Sequence, residues 1–143
     1  DVFTYCRDYP DISHHPIEDH LYIVMQNLNP EMAAAAAPIV AEHGALADLA
    51  VEALVMLNQV LMEMSVSRDA FSALGRRFVE MQTRHMEAEE KLFFPTAMQV
   101  LKDSNWADLE TLILDPKDDP VFADGAVIRF DRLRENVREQ SRE

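Results

Sequence analysis

Residues 71–92 read FSALGRRFVEMQTRHMEAEEKL. Phe71, Leu74, Phe78, Met81, His85, Glu89 and Leu92 recur at steps of three and four, the spacing that places side chains on one face of an α-helix. Such a face is normally apolar because it is buried. Here it is apolar as far as Met81 and then carries an imidazole and a carboxylate one turn apart.

Two further stretches repeat the pattern. His14, Glu18, Leu21, Met25 and Leu28 share a face, and so do Ile39, His43, Leu46, Ala50, Leu54, Leu57, Leu61 and Met64. The punctuation agrees with three long helices. Ser13 is a candidate N-cap for a helix to about Leu28, with Pro16 in its first turn. Asn29-Pro30 ends that helix, the Ala-rich stretch Glu31 to Ala37 reads as a short helical lead-in, and Pro38 suits the start or a kink of a long helix reaching about Met64. Ser67 caps a third helix from about Asp69 to Leu101, bent at Pro95. Asp1 to Asp8 is compatible with helix before the break at Tyr9-Pro10-Asp11. Beyond the core, about 12–101, Ser104 caps a short helix to about Leu114. The segment Asp115 to Asp124 reads as loop, and a last helix covers about Ala126 to Arg138, giving a helical extension over about 104–140. Nothing alternates with period two, so the class is all-α, one domain over 1–143.

A His thus interrupts each inward stripe, and a Glu interrupts two of them. A buried carboxylate without a partner is costly and tends to take up a proton. Two of them, each one turn from a His, ask for a shared explanation, which a pair of metal cations supplies. Residues at i and i+4 lie about 5–6 Å apart at Cβ, so both can reach one ion. Imidazole and carboxylate together suit iron, and manganese and zinc fit the same donors. His14, Glu18, His43, His85 and Glu89 are the candidate ligands, with Glu90 as the alternative to Glu89. The methionines (Met25, Met56, Met62, Met64, Met81, Met86, Met98) read as core filling. Cys6 has no evident activating neighbour.

Composition narrows the partners. The 143 residues carry a formal net charge of -13, which repels nucleic-acid phosphates and anionic lipid. The single Cys allows no internal disulfide, no apolar run reaches about 18 residues, and the N-terminus lacks signal-peptide features. The expectation is a cytoplasmic protein with neither a nucleic acid nor a membrane as partner. A homodimer is compatible with these features.

Three segments carry a resemblance. YPDISHHPIED at 9–19, Glu42-His43, and RHMEAEEKLFFP at 84–95 resemble, in this order, the motifs of bacterial hemerythrin-like (HHE cation-binding) domains. The resemblance weakens beyond about Leu114. It implies an up-down four-helix bundle around two non-haem irons bridged by oxygen and carboxylates. His14, Glu18, His43, His85 and Glu89 are then the ligands, with Glu18 and Glu89 bridging. His15 and His20 fall to supporting or surface roles, because His15 points about 100° from His14 on an ideal helix. The resemblance also implies a further His on a helix preceding the HHP segment. The sequence opens at Asp1, so the expectation is five ligands on three long helices, with the first bundle helix and its donor outside these residues.

The expected function is handling of O2, or of NO or peroxide, at a di-iron centre, for sensing, storage or scavenging. Leu21, Met25, Met81, Leu92 and Phe93 would line a dry pocket beside it. Two other readings compete: a di-iron oxidase or peroxidase-like enzyme, and a metal-free helical domain that binds a protein partner.

Overall fold

A computed structural model describes residues 2–10, 14–110 and 131–140, and among these there is helix and no strand. Eight α-helices follow in order: α1 (Val2–Tyr9), α2 (His15–Leu28), α3 (Pro30–Ala33), α4 (Ala37–Leu61), α5 (Arg68–Ala88), α6 (Phe94–Val100), α7 (Asp103–Glu110) and α8 (Asp131–Gln140). A π-helical turn, Glu89–Phe93, joins α5 to α6. The proposed Ser13 cap and all of residues 111–130, with the expected 115–124 loop and the expected start of the last helix, lie outside the described residues.

Local chemistry sets the boundaries. Asn29 ends α2 and at once caps α3, its side chain accepting from Met32 N, with Pro30 in the first turn. Ser67 caps α5 by accepting from Ala70 N. Between α4 and α5 the chain closes a Schellman motif: Met64 N donates to Gln59 O and Glu63 N to Val60 O. Glu63 takes the left-handed conformation there, φ 58°, at a position where Gly is usual. The short helix after the core begins at Asp103 rather than at a Ser104 cap, because the Asn105 side chain accepts from Lys102 N and closes the turn one residue earlier.

The core is layered. At one end Leu49, Ala50 and Ala53 of α4 pack on Leu74 and Phe78 of α5, with Phe3 and Cys6 of α1 against them. Phe3 meets the edges of Phe71 and Phe78 at 6.4 and 5.5 Å. At the other end Leu21 and Met25 of α2, Ile39 of α4, and Phe93, Ala97, Leu101 and Leu109 form a second cluster. Along α4 and α5 the clusters occur in opposite sequence order, as two antiparallel helices joined by a tight turn require. On α4 and on the α5–π segment the candidate ligands fall between the clusters, and on α2 they precede Leu21.

The π turn corrects one expectation. Leu92 was expected inward, yet it is 40 % exposed while Phe93 is 1 % exposed. Phe94 N donates to Glu89 O, so this turn holds one residue more than an α-turn. The inward register moves from Leu92 to Phe93 and continues at Ala97. Pro95, which has no N–H, sits in the first turn of α6 directly after it.

Other parts of the stripes also reach solvent. Leu28 and Leu61, the last residues of α2 and α4, and Met64, in the turn beyond α4, are exposed. Met62, Met86 and Met98 are exposed too and fill no core; Met25 alone of the methionines is fully buried. α4 has the length and the mean hydropathy, 1.5, of a membrane span, although no membrane crossing was expected. It also carries Glu42, Asp48 and Glu52, costly groups at a bilayer centre, and its inner face is committed to α1, α2 and α5.

Candidate metal centre

Each arm delivers its polar groups to one level. α2 contributes His15 and Glu18, α4 contributes His43, and the α5–π segment contributes His85 and Glu89; all five are buried. The i, i+4 spacing of His85 and Glu89 stacks them on one face, across from Glu18 and His43.

One ligand atom each from Glu18, His43, His85 and Glu89 lies within 4.8 Å of the others. His43 Nε2 is 3.4 Å from Glu18 Oε2, and His85 Nε2 is 2.7 Å from Glu89 Oε1. Short as they are, these contacts are not aligned as hydrogen bonds. Both oxygens of Glu18, Nε2 of His43 and of His85, and Oε1 of Glu89 are buried without a hydrogen-bond partner. Buried polar atoms are seldom left so, at roughly 1–3 kcal/mol each. Five of them converging on one point suit a cation that accepts all their lone pairs.

The outward nitrogens are anchored. His43 Nδ1 lies 2.9 Å from Asp19 Oδ1 of α2. His85 Nδ1 lies 3.3 Å from Glu42 Oε2, and the other oxygen of Glu42 accepts from Arg84 at 2.8 Å. Each imidazole thus donates its Nδ1–H to a carboxylate and turns Nε2 to the centre, an arrangement typical of metal-bound His.

Titration shifts follow from the crowding. Burial is the largest influence on His85 and lowers its pKa, but Glu89 beside it, with Glu42 and Glu18, outweighs burial and raises it above the ordinary imidazole value. Burial likewise pushes Glu89 up most strongly, yet His85, His14 and His43 together hold it below the usual carboxylate range.

Of the candidates, Glu18, His43, His85 and Glu89 meet in the middle. His14 stands at the rim, its side chain 49 % exposed, with Nε2 3.3 Å from Glu18 Oε1. Glu90 is exposed, and His20 is exposed. His15, expected in a supporting or surface role, is instead buried, its ring stacked on that of His43. Sequence reasoning did not single out Asp19 and Glu42 as anchors. Asp19 is one residue from Glu18, and Glu42 one residue from His43, and that adjacency was the available signal. Of the residues expected to line a dry pocket, Leu21, Met25 and Phe93 are buried together in one apolar cluster, and Met81 is half-buried against the other. Burial raises the pKa of the Cys6 thiol, which suits an inert side chain.

Residues 1–97 match the family model described as Hemerythrin HHE cation binding domain. No curated protein and no solved structure matches the chain.

Proposed function

The chain belongs to the hemerythrin HHE cation-binding domain family, and from that premise we propose that it holds two iron ions and handles O2, or a related small ligand such as NO or peroxide. The observation that carries the proposal is the set of buried donor atoms on Glu18, His43, His85 and Glu89 that converge without hydrogen-bond partners. Imidazole and carboxylate in this mixture favour iron, and two carboxylates on facing helices suit a pair of ions more than one.

When bound, the iron would supply a redox-active centre with room for a small ligand. The residues of the chain do the rest. Glu18 and Glu89 would bring negative charge to a dry site and hold it between the facing helices. Asp19 and Glu42 keep the imidazoles of His43 and His85 in one tautomer and one orientation. Leu21, Met25 and Phe93 exclude water on the side of the second apolar cluster.

The test is elemental analysis and an absorption spectrum of the chain purified after expression with iron. About two irons per chain, with near-ultraviolet bands that respond to O2, NO or peroxide, is the expected result. A folded protein that stays colourless and metal-free would overturn the proposal and favour a metal-free interaction domain. Rapid turnover of peroxide would favour an enzyme over a binding protein.

A further inference from the structure

We infer that His15 is a nitrogen donor to the metal centre, so that α2 supplies an imidazole from inside the bundle as well as the carboxylate of Glu18. The inference rests on the reading of the site as a two-ion centre.

His15 is 6 % exposed. Its ring lies parallel to that of His43, centroids 4.1 Å apart with 6° between the planes, and edge-on to His85 at 6.1 Å. One ring nitrogen from each of His15, His43 and His85 lies within 4.8 Å of the others. That trio shares His43 and His85 with the set of Glu18, His43, His85 and Glu89, so the His15 ring nitrogen stands beside the same centre.

The stacking sharpens the argument. A metal sits in the plane of an imidazole, about 2.0–2.1 Å from the nitrogen along its lone pair. One ion cannot lie in the planes of two parallel, stacked rings at once, so each ring is suited to its own ion. Burial also separates His15 from its neighbour, since His14 has a 49 % exposed side chain while His15 faces the other imidazoles.

The experiment compares the unaltered chain with His15→Phe. Phenylalanine keeps a planar ring to stack on His43 but has no lone pair. Both proteins are loaded anaerobically with Fe(II), and separately with Co(II), and freed of loose metal. Ions per chain are counted, and the Co(II) visible spectrum is recorded. Circular dichroism checks folding, and His15→Gln repeats the count should the larger ring impair it. The expected result is two ions in the unaltered chain and fewer than two in the folded variant, with a changed Co(II) spectrum. Two ions in both proteins with the same spectrum would show that His15 only packs, overturning this inference and leaving the proposed function standing. One ion or none in the unaltered chain would overturn the inference together with the two-ion reading beneath it.

Discussion

Glu42 makes no contact with the convergent donor atoms themselves, yet metal affinity should depend on it. Its carboxylate joins α4 to α5, one oxygen 3.3 Å from His85 Nδ1 and the other accepting from Arg84 at 2.8 Å. His85 is 1 % exposed and the Glu42 side chain 28 % exposed, so truncation of Glu42 to Ala removes the charged acceptor of a buried N–H and leaves at most a water in its place. Leaving a buried N–H unpaired costs about 1–3 kcal/mol. Loss of the carboxylate behind a metal-bound His lowers affinity by about 10- to 100-fold, or roughly 1.4–2.7 kcal/mol. The two estimates overlap, so Glu42→Ala should weaken iron binding by about 10- to 100-fold. Glu42→Gln, which retains an acceptor oxygen, should lose less. Competition with a chelator of known affinity measures the difference, and a thermal melt of the metal-free proteins separates binding from folding. An affinity for Glu42→Ala within about threefold of the unaltered chain would refute the claim that the Nδ1 contact orients His85.

Four other outcomes are expected. His85→Ala and Glu18→Ala should strip most of the metal while His20→Ala leaves it, as elemental analysis would show; equal loading in all three would refute the ligand assignment. The metal-free protein should show a pH-dependent contribution from the His85–Glu89 pair. The raised pKa of His85 contributes stability below about 6.5 that fades as pH rises through its folded value, and the lowered pKa of Glu89 contributes above about 4.5 and fades as pH falls through its own. Thermal melts across pH should place the pair's largest contribution between those limits, and metal uptake, which must displace the His85 proton, should strengthen as pH rises. Phe93→Ala should destabilise the fold by about 3–5 kcal/mol in denaturant titrations, because Phe93 is among the largest fully buried side chains. Two changes should stabilise by up to about 1 kcal/mol each in the same assay: Glu63→Gly, which relieves a left-handed backbone, and Gly44→Ala, whose added Cβ meets nothing within 4 Å.

Much of this protein is written in helical periodicity. The stripes through His43 and through His85 and Glu89 could be read directly, because burial on one helix face repeats at fixed steps and polar interruptions of it are rare. Caps were legible where the cap is local, as at Asn29 and Ser67. The same periodicity cannot resolve neighbours. His14 and His15 lie about 100° apart on a helix, and either can face inward depending on how the helix is rotated against its partners. Packing against α4 and α6 sets that rotation for α2 and buries His15. Leu92 and Phe93 posed the same choice, decided by a π turn that ideal α-helical spacing does not contain.

By itself, then, the sequence determined an all-helical chain with three inward stripes and a His–Glu set capable of holding metal, because these follow from spacing within one helix. Only the tertiary structure decided which adjacent residue turns inward and which carboxylates hold the imidazoles. Asp19 meets His43 across 24 residues and Glu42 meets His85 across 43, and contacts at such separation exist only once the helices have packed.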